Sequence, residues 1–265
     1  MSPATVPEVT TYRYVRGSLL ALLLALAVSV ALETLAHGWQ TSISSYYYTA
    51  AGPVFIAALS AIGVCLIALR GGTDAEDVCL NLAGISAPMV AFVPTPEIGH
   101  VPDVPAITNN AATFLGVLAV GYVVVAFRLL RRPGGVGRWN LVGLGSVALA
   151  WAVGCAWLAI DRHSFAAHAH ALAAIFTFVP FAGVVVLNTD WGVRVIAREG
   201  RVSRTRFDAA YWVVLVGMGA VCLVGLALWQ WRYALVATEI GVLVLFAVFW
   251  VLQTIDLLDL RRDLA

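Results

Sequence analysis

Apolar residues in this chain run in blocks longer than a soluble core requires, and polar residues collect between them. Eight runs stand out, at 17–36, 49–70, 79–95, 107–130, 140–160, 166–188, 209–229 and 234–258. Each approaches the roughly 20 apolar residues that carry one helix through a bilayer core. The third is the shortest and holds Pro88 and Pro94, which predicts a kink or an early end. The first follows Arg13 and Arg16 and has small residues near Ala36, as a secretory leader would. Its apolar stretch is longer than a leader's core, so it reads as a retained span. The pattern predicts an all-α polytopic transmembrane bundle of about eight spans. It forms one integral membrane domain over 1–265, with no room for a soluble one.

Composition agrees. Apolar residues make up 61% and charged residues 12%, against about 25% charged in soluble domains. Cys65, Cys79, Cys155 and Cys222 lie in or beside apolar runs without CxxC spacing, and read as small core residues.

Charge adds direction. The chain has no lysine, so arginine alone sets the bias. Alternating sides from a cytoplasmic N-terminus puts fourteen of sixteen arginines inside. They are Arg13 and Arg16; Arg70; Arg128, Arg131, Arg132 and Arg138; Arg194, Arg198, Arg201, Arg204 and Arg206; Arg261 and Arg262. Only Arg162 and Arg232 fall outside. Cytoplasmic loops carry the basic excess, so both termini are expected in the cytoplasm and the protein in a plasma membrane, crossing it many times. Membrane lipids, and not nucleic acid, are the expected partners; the oligomeric state is left open. The 188–208 loop, with five arginines among apolar residues, reads as a solvated topology signal or as a segment lying on anionic lipid. The glycine-rich 131–138 loop has no strand before it and is no phosphate loop.

The same topology gathers the remaining polar chemistry on the outer side. All five histidines fall there, namely His37, His100, His163, His168 and His170. Glu97, Asp103 and Asp161 join them, and Glu33 and Glu239 sit about a turn inside the membrane, where a carboxylate needs a partner. The segment HGWQTSISSYYYTAAGPVF, 37–55, adds three serines and three consecutive tyrosines. Three readings compete. An interfacial belt explains the aromatic residues alone. A metal site of His and Asp/Glu, zinc above all, would make the chain a membrane-embedded lipid hydrolase. However, His168 and His170 point about 200° apart on a helix, and no HExxH or HxxxH occurs. A pocket for a lipid or small amphiphile needs only a few placed polar groups over apolar walls. Its expected residues are Glu33, His37, Ser44, Ser45, Tyr46, Tyr47, Tyr48, Asn109, His168, His170 and Glu239, with Ser44 or Ser45 capping the second span. At least one tyrosine should turn inward, its hydroxyl meeting an outer Glu, His or Asn. A coupled transporter is a further class, disfavoured because the span centres carry no Asp, Glu, Lys, Arg or His.

The stretch SISSYYYTAAGPVFIAALSAIGVCLIALRGG, followed by DVCLNLAGISAPMVAFVPT, resembles a family of uncharacterised bacterial multispanning proteins. They share an S-x-S-x-Y-Y-Y-T segment, an acidic turn and an N-x-A-G helix ending in proline, and are distantly similar to DRAM-type membrane proteins linked to lipid handling. The match covers about residues 42–95, with a weaker echo at 238–250. Asn109 stands where a histidine often opens a later helix in that family. The resemblance implies a helical bundle and a lipid connection, and no reaction. The chain therefore reads as a lipid or amphiphile binder rather than an enzyme. No cofactor is expected, and zinc only under the hydrolase alternative.

Overall fold

A computed structural model describes residues 6–97, 99–131, 133, 135–197 and 207–262. Among these there is no strand. Eight long α-helices follow one another: α1 (Val6–His37), α2 (Gly52–Ala68), α3 (Asp74–Phe92), α4 (Val104–Leu130), α5 (Arg138–Ile160), α6 (Arg162–Leu187), α7 (Asp208–Ala227) and α8 (Ala234–Arg262). Seven are long and apolar enough to cross a membrane; α2, with 17 residues, is the shorter exception. A 3-10 turn (Ser44–Tyr48) precedes α2 and a π-helical turn (Gly192–Ala197) follows α6. Of the arginines expected inside, Arg132, Arg198, Arg201, Arg204 and Arg206 lie outside the described residues, as does most of the second half of the 188–208 loop.

Helix ends differ from the apolar runs where polar caps extend them. The third helix starts at Asp74, not at 79, because the Thr73 hydroxyl accepts the Glu76 amide at 3.1 Å. Asp74, Glu76 and Asp77 then fill its first turn, where the exposed N–H groups favour negative charge. It runs through Pro88 and ends at Phe92, before Pro94 and short of the end of the apolar run. Asp161 caps α6 in the same way, accepting from the Ser164 amide at 2.9 Å, so that helix begins at Arg162.

The packing centre is α3, set between α2 and α6. Lipid tails remove the hydrophobic drive between membrane helices, so close approach through small residues takes its place. Gly63 of α2 faces Gly84 and Pro88 of α3. A Cβ on Gly63 would sit 2.6 Å from the Gly84 carbonyl oxygen and 2.8 Å from Pro88 Cδ. An aromatic cluster ties α6 to α7 and α8: Phe181 lies 4.3 Å from Phe246, ring centre to centre, and Tyr211 packs on Phe249. By contrast α4 and α5 bury little of their length and form the rim.

Hydrogen bonds between elements sort the helix ends onto two faces. On the arginine-bearing face, Tyr12 of α1 donates to the Arg70 carbonyl after α2, Asn140 of α5 to Asp74 of α3, and Tyr211 of α7 to Asp256 of α8. On the histidine-bearing face, Thr41 after α1 contacts Glu97 after α3 and accepts from the Val236 amide of α8.

Candidate functional site

Leaving α1, the chain turns at Gly38 (φ +91°), a backbone shape that favours glycine. The 38–51 loop is then fixed from both sides. Toward α8, the Ile43 amide donates to Glu239 Oε2 at 2.5 Å. Toward the α3–α4 connection, Thr41 Oγ1 donates to Glu97 Oε2 at 3.1 Å and Ser45 Oγ donates to the same oxygen. Ser42 Oγ accepts the Ser45 amide at 3.0 Å, closing the turn. Ser45 thus holds the loop and does not cap α2, and Ser44 is buried with no part in a cap. Ala51 precedes α2 without any side-chain cap.

The three tyrosines separate as the 3-10 turn rotates them. Tyr46 is fully buried, its hydroxyl against Thr34 Oγ1 and 3.4 Å from the Gln40 amide, so its partners are a threonine and a main-chain group rather than an acid, histidine or asparagine. Tyr48 donates to the Thr95 carbonyl at 3.1 Å and stacks on His100 at 4.4 Å. Tyr47 turns toward α4. Its ring borders a cavity of about 400 Å³ between α2, α3 and α4, together with Asn109, Asn110 and Thr113. Phe92, Phe114, Ile56 and Val117 supply apolar walls. Among the described residues no hydrogen bond engages the Tyr47 hydroxyl, and Asn109 reaches only Asn110, at 3.5 Å. Burial, assisted by the nearby Asp103 charge, holds the Tyr47 phenol above its ordinary value.

The other expected groups do not converge there. Glu33 pairs with His37 at 2.9 Å along α1, and His37 is largely exposed. His170 is buried, its Nδ1 2.6 Å from the Val93 carbonyl. A carbonyl only accepts, so that nitrogen carries the proton. His168 is exposed and donates back to the Ser164 carbonyl at 3.0 Å. Among the described residues, no three His, Cys, Asp or Glu side chains come together as a metal site would require. The expected set is thus divided: Tyr47 and Asn109 share a cavity, while the remainder hold the loop and helix ends.

A second polar constellation, absent from the sequence reading, lies on the opposite face. Glu76 of α3 is 1% exposed. Its Oε1 accepts from Asn188 Nδ2 at 2.7 Å and from Gln253 Nε2 at 3.0 Å, and its Oε2 accepts the Gly72 amide at 2.7 Å. Gln253 also donates to Asn188 Oδ1 at 2.9 Å. All three contacts donate to the carboxylate. The network joins α3, the end of α6 and α8. One local signal marked it: Thr73-Asp74-Ala75-Glu76 is a T-x-x-E capping pattern. Asn188 and Gln253 carried none.

Comparison with protein-family models, with curated proteins and with solved structures finds no match for this chain.

Proposed function

We propose that this chain is an eight-span protein of a bacterial plasma membrane, both termini cytoplasmic, that binds a lipid or small amphiphile at the outer end of α2, α3 and α4. The observation that carries the binding reading is the Tyr47 cavity. It pairs apolar walls with a phenol, two carboxamides and a threonine hydroxyl at one end. Such a union of apolar volume and few convergent polar groups is what small-molecule sites need. The polar groups are uncharged, which suits a hydroxyl- or ester-bearing head with a hydrocarbon tail. The family resemblance points the same way.

Eight spans are favoured by the alternation of helix ends between two faces, α2 included. The arginine bias supports the cytoplasmic termini. In a cysteine-free background, Val101→Cys is expected to react with an impermeant thiol reagent in intact cells, and a reporter fused after Asp208 to behave as cytoplasmic. Protection of Val101→Cys, with surface labelling verified elsewhere, would reverse the orientation.

Binding of a monoacylglycerol to the detergent-purified protein, followed by native mass spectrometry, tests the site. Tyr47→Phe should weaken retention about threefold to tenfold, the worth of one hydrogen bond. Tyr48→Phe, whose hydroxyl is already held by Thr95, should leave it unchanged. Equal retention by wild type and Tyr47→Phe would reject the site.

A further inference from the structure

A longer cleft runs between α1 and α8, separate from the Tyr47 cavity. It measures about 560 Å³, and its lining includes Leu20, Leu23 and Leu24 of α1 with Leu243 and Ala247 of α8, reaching Trp39 at the far end. Among the described residues, Thr34 carries the one hydroxyl on its walls. Residues three and four apart share a helix face. Arg16 therefore continues the α1 wall one turn beyond Leu20, and Trp250 continues the α8 wall one turn beyond Ala247. The two meet: the guanidinium carbon lies 5.1 Å from the Trp250 ring centre and 4.6 Å from that of Tyr12.

Arg16 is 4% exposed and Trp250 1%. The Arg16 terminal nitrogens donate to Tyr12 at 2.6 Å and, weakly, to Thr254 at 3.4 Å. No carboxylate lies within ion-pair distance of Arg16 among the described residues. Its Nε and the Trp250 Nε1 are both buried with no acceptor among those residues. A buried cation without an anion is costly, and so is each orphaned donor. Two orphaned N–H groups, one of them on a cation, therefore lie one helical turn beyond Leu20 and Ala247, the lining residues at the arginine-side end of an apolar cleft. Arg13, exposed on the preceding turn of α1, adds positive charge outside it.

We propose that the α1–α8 cleft binds an acidic phospholipid. A phosphate oxygen accepts from Arg16 Nε and Trp250 Nε1, and an acyl chain lies along Leu20, Leu23 and Leu243. On binding, the guanidinium gives up its long contact with Thr254 and leans toward the cleft. The test is competitive retention of phosphatidylglycerol against phosphatidylcholine of identical chains, read by native mass spectrometry of the full chain. Wild type should retain phosphatidylglycerol at least about fivefold better, the effect of one basic residue on an anionic lipid. Arg16→Gln should bring the two lipids to parity. Ala27→Trp, which fills the cleft away from Arg16, should cut phosphatidylglycerol retention and serves if Arg16→Gln fails to fold. Equal retention by wild type, a preference surviving Arg16→Gln, or unchanged retention in Ala27→Trp would each overturn the proposal. Inorganic phosphate should not displace the lipid; if it does, the site takes a free anion and the lipid assignment falls.

Discussion

Replacing Glu76 would test how the arginine-bearing face is held. Three donors point at this one carboxylate: the buried Asn188 and Gln253 carboxamides and the amide of the exposed Gly72. In Glu76→Leu all three lose their acceptor at once. Hydrogen bonds between membrane helices average about 0.6 kcal/mol, with a maximum near 1.7, which sets a lower estimate of ~2 kcal/mol for three. Leaving a buried donor unpaired costs about 1–3 kcal/mol. Asn188 Nδ2 keeps the Val184 carbonyl at 2.9 Å, Gln253 Nε2 keeps Asn188 Oδ1, and the Gly72 amide belongs to an exposed residue that water reaches, so no donor is stranded outright. The expected loss therefore stays near that lower estimate, about 2 kcal/mol. Glu76→Gln preserves shape but presents an NH₂ to either Gly72 or the two carboxamides, because every neighbour donates. It should cost about 1–2 kcal/mol. Thermal unfolding in a fixed detergent, or reversible unfolding in bicelles, measures both. If Glu76→Gln is as stable as wild type, the carboxylate is not needed as the common acceptor of all three donors. If Glu76→Leu lies within about 0.5 kcal/mol of wild type, the network is not a stability element at all.

The α2–α3 contact predicts a contrast between glycines. Gly63→Ala places a methyl 2.6 Å from the Gly84 carbonyl oxygen and should destabilise by about 1–3 kcal/mol, whereas Gly116→Ala, with nothing within 4 Å of its new Cβ, should be neutral or stabilising in the same melting assay. The Tyr47 phenol predicts an alkaline limit. Its folded-state value is raised, so its contribution is whole below the ordinary tyrosine value of about 10 and fades as pH climbs through the raised one. Melting temperature against pH should therefore fall less steeply above that point in Tyr47→Phe, and identical slopes would remove Tyr47 from the account.

The helices were legible because lipid solvent forces long apolar runs, and each run here overlaps one helix over most of its length. Their ends were less legible: the acids of Asp74, Glu76 and Asp77 look like a loop to hydropathy, yet an N-terminal turn is where acids stabilise a helix. The tyrosine segment signalled that the chain needed hydroxyls at one level. It did not say that a 3-10 turn would assign one ring to the core, one to His100 and one to a cavity. Convergence is the harder matter. Asn109 was picked out beside Tyr47, but His168 and His170 were joined to them only by sharing a side of the membrane. The Glu76 network spans separations of 112 and 177 residues, and its two carboxamides resemble ordinary polar residues at span ends.

The central position of α3 also bears on how the protein is made. It has the lowest mean hydropathy of the seven candidate spans and the largest buried share. A segment of that kind partitions into lipid weakly by itself, since its acids and small residues are matched to protein neighbours. During synthesis its first available neighbour is α2, which precedes it by a short turn and offers Gly63 to Gly84. Asn188 and Gln253, the partners of Glu76, emerge only much later. Until then the Glu76 carboxylate of the nascent α2–α3 hairpin has the Gly72 amide but neither carboxamide, so a fault in α6 or α8 would leave α3 without the partners its acid is matched to.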